Sequence, residues 1–205
     1  SIGLGEDGPT HQAVEQLSSL RIIPGMSVWR PADVTETAIS WQSSLERLNG
    51  PSSIVLTRQT LPELTRSKEQ IKFIKKGGYI LRDCGNKIDA ILVSSGSEVH
   101  LCVEAAEKLN DKGVKIRVIS IPCLEEFLSQ PGSYYKKLIP ENFNNILAVE
   151  AGIGVCWDKI IGKNGSKITM NTFGLSAPGD QALEYFGFTT SNVIKQVKKL
   201  IKKNR

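Results

Sequence analysis

The stretch Ala90-Ile91-Leu92-Val93-Ser94-Ser95-Gly96-Ser97-Glu98, continued by Val99, Cys102, Val103, Ala106 and Leu109 and closed by Asn110-Asp111-Lys112-Gly113, decides the fold class. Four consecutive apolar residues between Asp89 and Ser94 read as a buried strand of the parallel-sheet kind. Ser95 and Glu98 have the spacing of a capping box, and the apolar residues after them recur at helical intervals. Asn110–Gly113 stops the helix. Val114–Ile121 is strand-like again, and Pro122 ends it. Strand, helix and second strand make a βαβ unit, so the two strands run parallel through a right-handed crossover.

Towards the C-terminus the alternation persists. Glu125–Leu138 is helical in part and interrupted at Pro131-Gly132, while Asn145–Val149 and Ile168–Thr172 are strands. Thr190 or Ser191 caps a last helix with Val193, Val197, Leu200 and Ile201 on one face. Tyr79-Ile80-Leu81 supplies a strand ahead of the opening unit. An α/β domain with a mostly parallel sheet is expected over 71–205, long enough for its own core.

Towards the N-terminus, Gln12–Leu20 has Ala13, Val14, Leu17 and Leu20 on one helical face and ends at Pro24-Gly25. Met26–Trp29 reads as a strand. Pro31-Ala32-Asp33 opens a helix carrying Val34, Ala38, Trp41, Leu45 and Leu48, ended by Asn49-Gly50-Pro51. Ser53-Ile54-Val55-Leu56-Thr57-Arg58 is a second strand, apolar enough to be central and parallel. Residues 1–70 thus read as half of an open α/β sheet, an incomplete one. Residues 59–76, with the loop Gln59–Pro62, the charged run Arg66–Gln70 and the breaker Lys75-Lys76-Gly77-Gly78, read as the linker, with a boundary between about 62 and 78.

Composition excludes several classes. Hydrophobic residues make up 40 % and charged residues 23 % of 205, which is globular rather than disordered or fibrous. No window of eighteen unbroken apolar residues suggests a membrane span, and the acidic, Gly-rich start is unlike a signal peptide. The chain lacks an initiator Met and opens inside a motif, so it is expected to be part of something longer. The net charge is +5, but residues 1–70 carry −2 and residues 71–205 carry +7. Six basic residues fall in 195–205, interleaved with Val197, Leu200 and Ile201, which fits a solvated helix face rather than a nucleic-acid surface. Cys84, Cys102, Cys123 and Cys156 form no C-x-x-C and match no zinc spacing. They read as reduced structural thiols of a cytoplasmic protein, and His100 lies at the wrong helical offset to activate Cys102.

The chemistry concentrates near the start. Gly3-Leu4-Gly5-Glu6-Asp7-Gly8-Pro9-Thr10-His11-Gln12 packs three glycines and a proline into a tight, backbone-exposed loop. It brings Asp7 and His11 to the start of the first helix, where amides and an imidazole suit a phosphate and a carboxylate suits a hydroxyl. The alternative is that Asp7 only caps the helix and His11 only fills its first turn. Arg58, at the end of an apolar strand, presents a fork for a phosphate or carboxylate where open α/β sheets bind ligands; the alternative is a structural ion pair. Arg30 could do the same or pair with Asp33. Ser94–Glu98, at a strand end, reads as a plain helix cap, with anion binding as the alternative, and Glu150-Ala151-Gly152 as an interface carboxylate or a turn. Gly174–Asp180 reads as a ligand loop without the ending of a P-loop. No nucleophile elbow and no glycosidase carboxylate pair occurs.

Ser1–Gln12 (SIGLGEDGPTHQ), Leu20-Arg21-x-Ile23-Pro24, Arg30-Pro31-Ala32-Asp33, Thr57-Arg58-Gln59, Gly96-Ser97-Glu98-Val99, Val149-Glu150-Ala151-Gly152 and Phe173-Gly174-x-Ser176-Ala177-Pro178-Gly179-Asp180 together closely resemble the transketolase family, in order and over nearly the whole chain. Ala13, where the family often has Pro, is a departure that touches helix rigidity more than chemistry. The resemblance implies that residues 1 to about 70 are the latter half of a pyrimidine-binding domain and the rest a C-terminal domain. It implies that the domain holding the metal-bound thiamine diphosphate and the cofactor-activating glutamate lie outside this chain. For the full-length enzyme it implies transfer of a two-carbon ketol unit from a ketose phosphate to an aldose phosphate, with thiamine diphosphate and Mg or Ca, in a cytoplasmic homodimer of the pentose phosphate pathway. It implies that Asp7 contacts a substrate hydroxyl, that His11 and Arg58 hold the sugar phosphate, and that the chain alone is inactive. Dihydroxyacetone synthase and a stand-alone binding module are the competing expectations.

Overall fold

Alternating strands and helices give two sheets in the computed structural model, which describes residues 2–204. In chain order the elements are α1 Gln16–Arg21, β1 Ser27–Trp29, α2 Val34–Glu46, β2 Ser52–Ile54, α3 Lys68–Ile74, β3 Tyr79–Arg82, β4 Ala90–Ser94, α4 Val99–Asn110, β5 Ile116–Ser120, α5 Leu124–Leu128, α6 Gly132–Leu138, β6 Ile146–Ile153, α7 Asp158–Ile161, β7 Ser166–Met170, α8 Gly179–Tyr185 and α9 Thr190–Lys203. β1 and β2 pair in parallel, from Ser27 opposite Ser52 to Trp29 opposite Ile54. The larger sheet has the order β3-β5-β4-β6-β7, parallel throughout except for the antiparallel edge strand β3. The expected α/β class and mostly parallel sheets are therefore observed.

The large sheet is sandwiched. Leu92, Val118, Leu147 and Val149 face α4 and α9, where Val99, Cys102, Ala106, Val193, Val197 and Leu200 complete one core. Ile91, Val93, Ile119 and Ala148 face the opposite way, onto Leu124, Phe127, Leu138, Trp157 and Ile160. Side chains alternate across a strand, so a strand covered on both faces must be apolar at successive positions. That is why β4 and β5 are buried at every residue.

Several expectations are corrected. The linker holds a helix, α3, started by a capping box: Ser67 Oγ accepts from Gln70 N and Gln70 Oε1 accepts from Ser67 N. The box expected at Ser95 and Glu98 is absent, because both side chains are committed to longer-range partners described below. α9 is capped by Thr189, whose hydroxyl accepts from Asn192 N, one residue before the expected position. The first helix begins at Gln16 rather than Gln12, after 3₁₀ turns over Gly5–Asp7 and Pro9–His11. β2 ends at Ile54 and, among the described residues, pairs only with β1, so it is neither as long nor as central as its apolar run suggests.

α2 forms where expected but is turned over. Its apolar stripe faces solvent, with Trp41 53 % and Leu45 76 % exposed, whereas Glu36 and Ser40 are fully buried. A large exposed apolar stripe marks a contact surface. The polar face is buried because Glu36 is a hub. Its Oε1 accepts from Tyr79 Oη at 2.7 Å, Ser120 Oγ at 2.6 Å and Arg66 Nη2 at 3.2 Å, and its Oε2 accepts from Ala32 N at 2.7 Å. Asp33 caps α2 through Glu36 N and accepts from Leu64 N and the buried Arg66 guanidinium. Removing one member of so buried an ionic cluster costs about 3–5 kcal/mol. Glu36→Ala is therefore expected to lose about 3–5 kcal/mol in denaturant unfolding, while Trp41→Ser changes stability by less than about 1 kcal/mol. Comparable losses from the two variants would contradict this orientation of α2.

Candidate functional site

Two loops of the first seventy residues meet on one rim. The segment Gly3–Gln12 is folded tightly by its 3₁₀ turns and by Gln12, whose buried Nε2 donates to Leu4 O at 2.7 Å. Gly8 has φ +70° between the turns, a conformation that favours glycine. The second segment, Val55–Thr60, leaves β2 and carries Arg58. Asp7 Oδ2 and Arg58 Nη1 stand 3.8 Å apart, with Arg58 70 % and Asp7 37 % exposed. An exposed pair at that distance adds little stability, so both side chains are available to a third group. The Gln59 side chain lies against Gly3, where a Cβ would collide with it.

His11, four residues after Asp7, is exposed, with Thr10 Oγ1 3.0 Å from its Nδ1. It lines a cavity of about 350 Å³ together with Thr10, Thr57, Arg30, Ser97 and Ala151. Asp7 and Arg58 are thus brought together directly, while His11 opens onto the adjoining cavity next to Thr57. Two positional expectations are corrected. Arg58 lies four residues beyond the end of β2, in a loop, and His11 precedes α1 by five residues, so no helix N-terminus faces a ligand there.

The ligand-like loop Gly174–Gly179 serves as a buttress. Gly174 N donates to Gln12 O at 3.4 Å, Ala177 O lies where a Cβ on Gly5 would be, and Gly3 O crowds Gly179. Backbones approach this closely only because these positions are glycine.

Ligands of open α/β sheets bind beyond the carboxyl ends of the strands where the strand order reverses. In the order β5-β4-β6 that place is flanked by Ser95 and Glu150, and arginines of the first seventy residues fill it. Arg21 donates through both Nη atoms to the Glu150 carboxylate at 2.8 Å. Ser95 Oγ and Trp157 Nε1 also donate to Glu150, each at 2.6 Å. Arg30 donates to Glu98 Oε2 at 2.7 Å and to Ser95 O. Arg30 therefore pairs with Glu98 rather than Asp33, and Glu150 is an interface carboxylate rather than part of a turn. Burial pushes the Glu150 carboxyl up, but Arg21, by charge and hydrogen bond, together with Arg30 and Ser95, overcomes this and holds it at about 2. Burial pushes the Cys102 and Cys123 thiols up to about 12, which leaves them protonated and unreactive. All four cysteines are free. Among the described residues no group of three His, Cys, Asp or Glu could hold a metal ion, and no helix is long and apolar enough to cross a membrane.

An α/β chain in which a two-stranded parallel sheet docks on a mostly parallel five-stranded one defines the class. The model of the pyrimidine-binding domain of transketolase matches residues 1–63, and that of the transketolase-like C-terminal domain matches residues 77–189. Transketolase 1 of Vibrio vulnificus is 49 % identical over 201 residues, covering 98 % of this chain and 30 % of its own length. Transketolase 1 of Escherichia coli K12 is 47 % identical over the same span. A crystal structure of Pichia stipitis transketolase in complex with sedoheptulose 7-phosphate superposes with a TM-score of 0.91 at 39 % identity, covering 98 % of this chain and 29 % of that one. The chain belongs to the transketolase family. It spans about 30 % of the length of the curated relatives it matches.

Glu150 gives this interface a pH signature. A carboxyl held at about 2 when folded and near 4.5 when free contributes stability above pH 4.5 that is lost as the pH falls towards 2. A shift of that size corresponds to roughly 3 kcal/mol. Glu150→Gln is expected to be less stable than the parent at pH 7 by about that much, with the gap closing between pH 4.5 and 2 in urea titrations. A gap that stays constant over that window would contradict the pairing with Arg21.

Proposed function

We propose that the enzyme to which this chain belongs transfers a two-carbon ketol unit from a ketose phosphate to an aldose phosphate, and that Asp7, His11 and Arg58 hold the sugar phosphate. The observation that carries this is the approach of Asp7 and Arg58 to 3.8 Å from two separate loops, both side chains solvent-accessible. A carboxylate accepts from a sugar hydroxyl, and a guanidinium fork fits a phosphate. A family relative crystallised with sedoheptulose 7-phosphate supports this substrate class, and relatives carrying the transketolase name favour ketol transfer over the competing readings.

Carbon–carbon cleavage needs an electron sink, which thiamine diphosphate supplies when bound. In this reading the cofactor and its Mg or Ca ion are held by residues other than Asp7, His11 and Arg58. The Mg or Ca ion and the cofactor therefore enter no step assigned to these side chains. What they do is grip the sugar at its hydroxyl and phosphate, so that binding far from the reacting carbons is used to align them. The reading includes a cytoplasmic homodimer in the pentose phosphate pathway and a division of the chain near residue 70. The family match supports these.

His11 has a second reading. It lines the adjoining cavity, where it would meet the reacting end of the sugar instead of the phosphate. In the full-length enzyme, Arg58→Ala is expected to raise KM for phosphorylated acceptors by about 10- to 150-fold, the equivalent of roughly 1.5–3 kcal/mol, and to spare glycolaldehyde. Asp7→Ala is expected to penalise 2-hydroxylated aldehydes selectively. His11→Ala as a phosphate ligand loses activity only with phosphorylated acceptors, whereas equal loss with glycolaldehyde places it at the reacting carbons. An unchanged KM for Arg58→Ala would overturn the phosphate reading.

A further inference from the structure

We infer that Arg30 and Glu98 are positioning residues for the substrate rim, with the C-terminal domain setting the location of Arg58 through this buried ion pair. The inference deepens the reading of Arg58 given above and rests on it. Arg30 is held on every side by residues of the second domain. Its N donates to Pro122 O at 2.7 Å, its O accepts from Gly96 N at 2.9 Å, and its guanidinium donates to Ser95 O and to Glu98 Oε2. Its Nη2 also lies 3.4 Å from Ser97 Oγ. Glu98 is fixed in turn, because its Oε2 accepts from Ala151 N at 2.9 Å and its Oε1 accepts from Ser97 Oγ.

The connection to the rim is short. Trp29, the residue before Arg30, accepts from Val55 N at 2.8 Å beyond the last β1–β2 pair. Val55 opens the segment that carries Arg58 three residues later. Arg30, Ser97, Thr57 and His11 line one cavity, so Arg30 also forms a wall of the space that His11 faces. The Arg30 guanidinium is committed: it fills the place where a Cβ on Gly96, itself at φ +61°, would sit. A guanidinium bonded to a carboxylate and a backbone carbonyl is not free to take a phosphate. Its contribution is to fix where β1 ends and hence where the Arg58 loop begins, and a shift of about 1 Å in a substrate-positioning group can cost up to about 100-fold.

The test uses full-length holoenzyme and three variants, Glu98→Gln, Arg58→Ala and the double variant, each assayed with ribose 5-phosphate and with glycolaldehyde as acceptor. Glu98→Gln is expected to raise KM for ribose 5-phosphate about 10-fold, a tenth of the full misplacement penalty, with a much smaller change for glycolaldehyde. In the Arg58→Ala background the same change is expected to add no further phosphate-selective loss, since it acts through Arg58. If Glu98→Gln does not fold, Ser97→Ala takes its place, because it removes the hydroxyl that touches both Arg30 and Glu98. Equal losses with both acceptors, additive losses in the double variant, or an unchanged KM in a folded variant would overturn the positioning role alone. Absence of phosphate selectivity in Arg58→Ala itself would overturn the phosphate reading and the inference with it.

Discussion

Two guanidinium groups lie buried between the two units, and each is matched by a buried carboxylate: Arg21 by Glu150 and Arg30 by Glu98. A charge left unpaired in such a place would cost several kcal/mol, so the pairs make docking of the units specific in position. Burying them need not add net stability, since apolar replacements of similar volume can do as well. What an ion pair imposes is direction: it holds in one geometry, where apolar contact tolerates sliding. The crevice that a parallel sheet ordinarily offers to a ligand is here occupied by the chain's own side chains.

The rim follows from that docking. Its loops belong to the first seventy residues, whose sheet has two short strands among the described residues. Two strands alone hold their shape poorly. Their placement is set from below by Glu36 and Asp33, which gather Tyr79, Ser120 and Arg66, and from the side by the glycine-mediated contacts between Gly3–Gly8 and Ser176–Gly179. The carboxylate and guanidinium that face the solvent are thus mounted on a frame held by the buried ion pairs of Arg21, Arg30 and Arg66.

Much of this could be read from residue order, and the misses have physical causes. Strands β4, β5 and β6 and helices α4 and α9 were legible because a sandwiched strand is apolar throughout and a covering helix is apolar at three- and four-residue intervals. Asp7, His11 and Arg58 were legible as candidates because glycine-rich loops and strand ends are where such side chains carry chemistry. The face of α2 was not. Its stripe of Val34, Ala38, Trp41 and Leu45 points to solvent, while its inward face is chosen by one carboxylate whose partners lie 43 and 84 residues away. Ser95 and Glu98 looked like a local cap for the same reason: spacing shows what neighbours can do for one another, and it is silent on an arginine 65 residues earlier. The Ser67–Gln70 box was present in the sequence and was masked by the charged run around it.

The most direct measurement is a crystal structure of the full-length enzyme with a ketose phosphate bound. The phosphate is expected within hydrogen-bonding reach of the Arg58 guanidinium, with a sugar hydroxyl on Asp7, while Arg30 remains on Glu98. A phosphate seated away from Arg58, or an Arg30 that has left Glu98 to bind it, would contradict the assignment of one arginine to the ligand and the other to the frame.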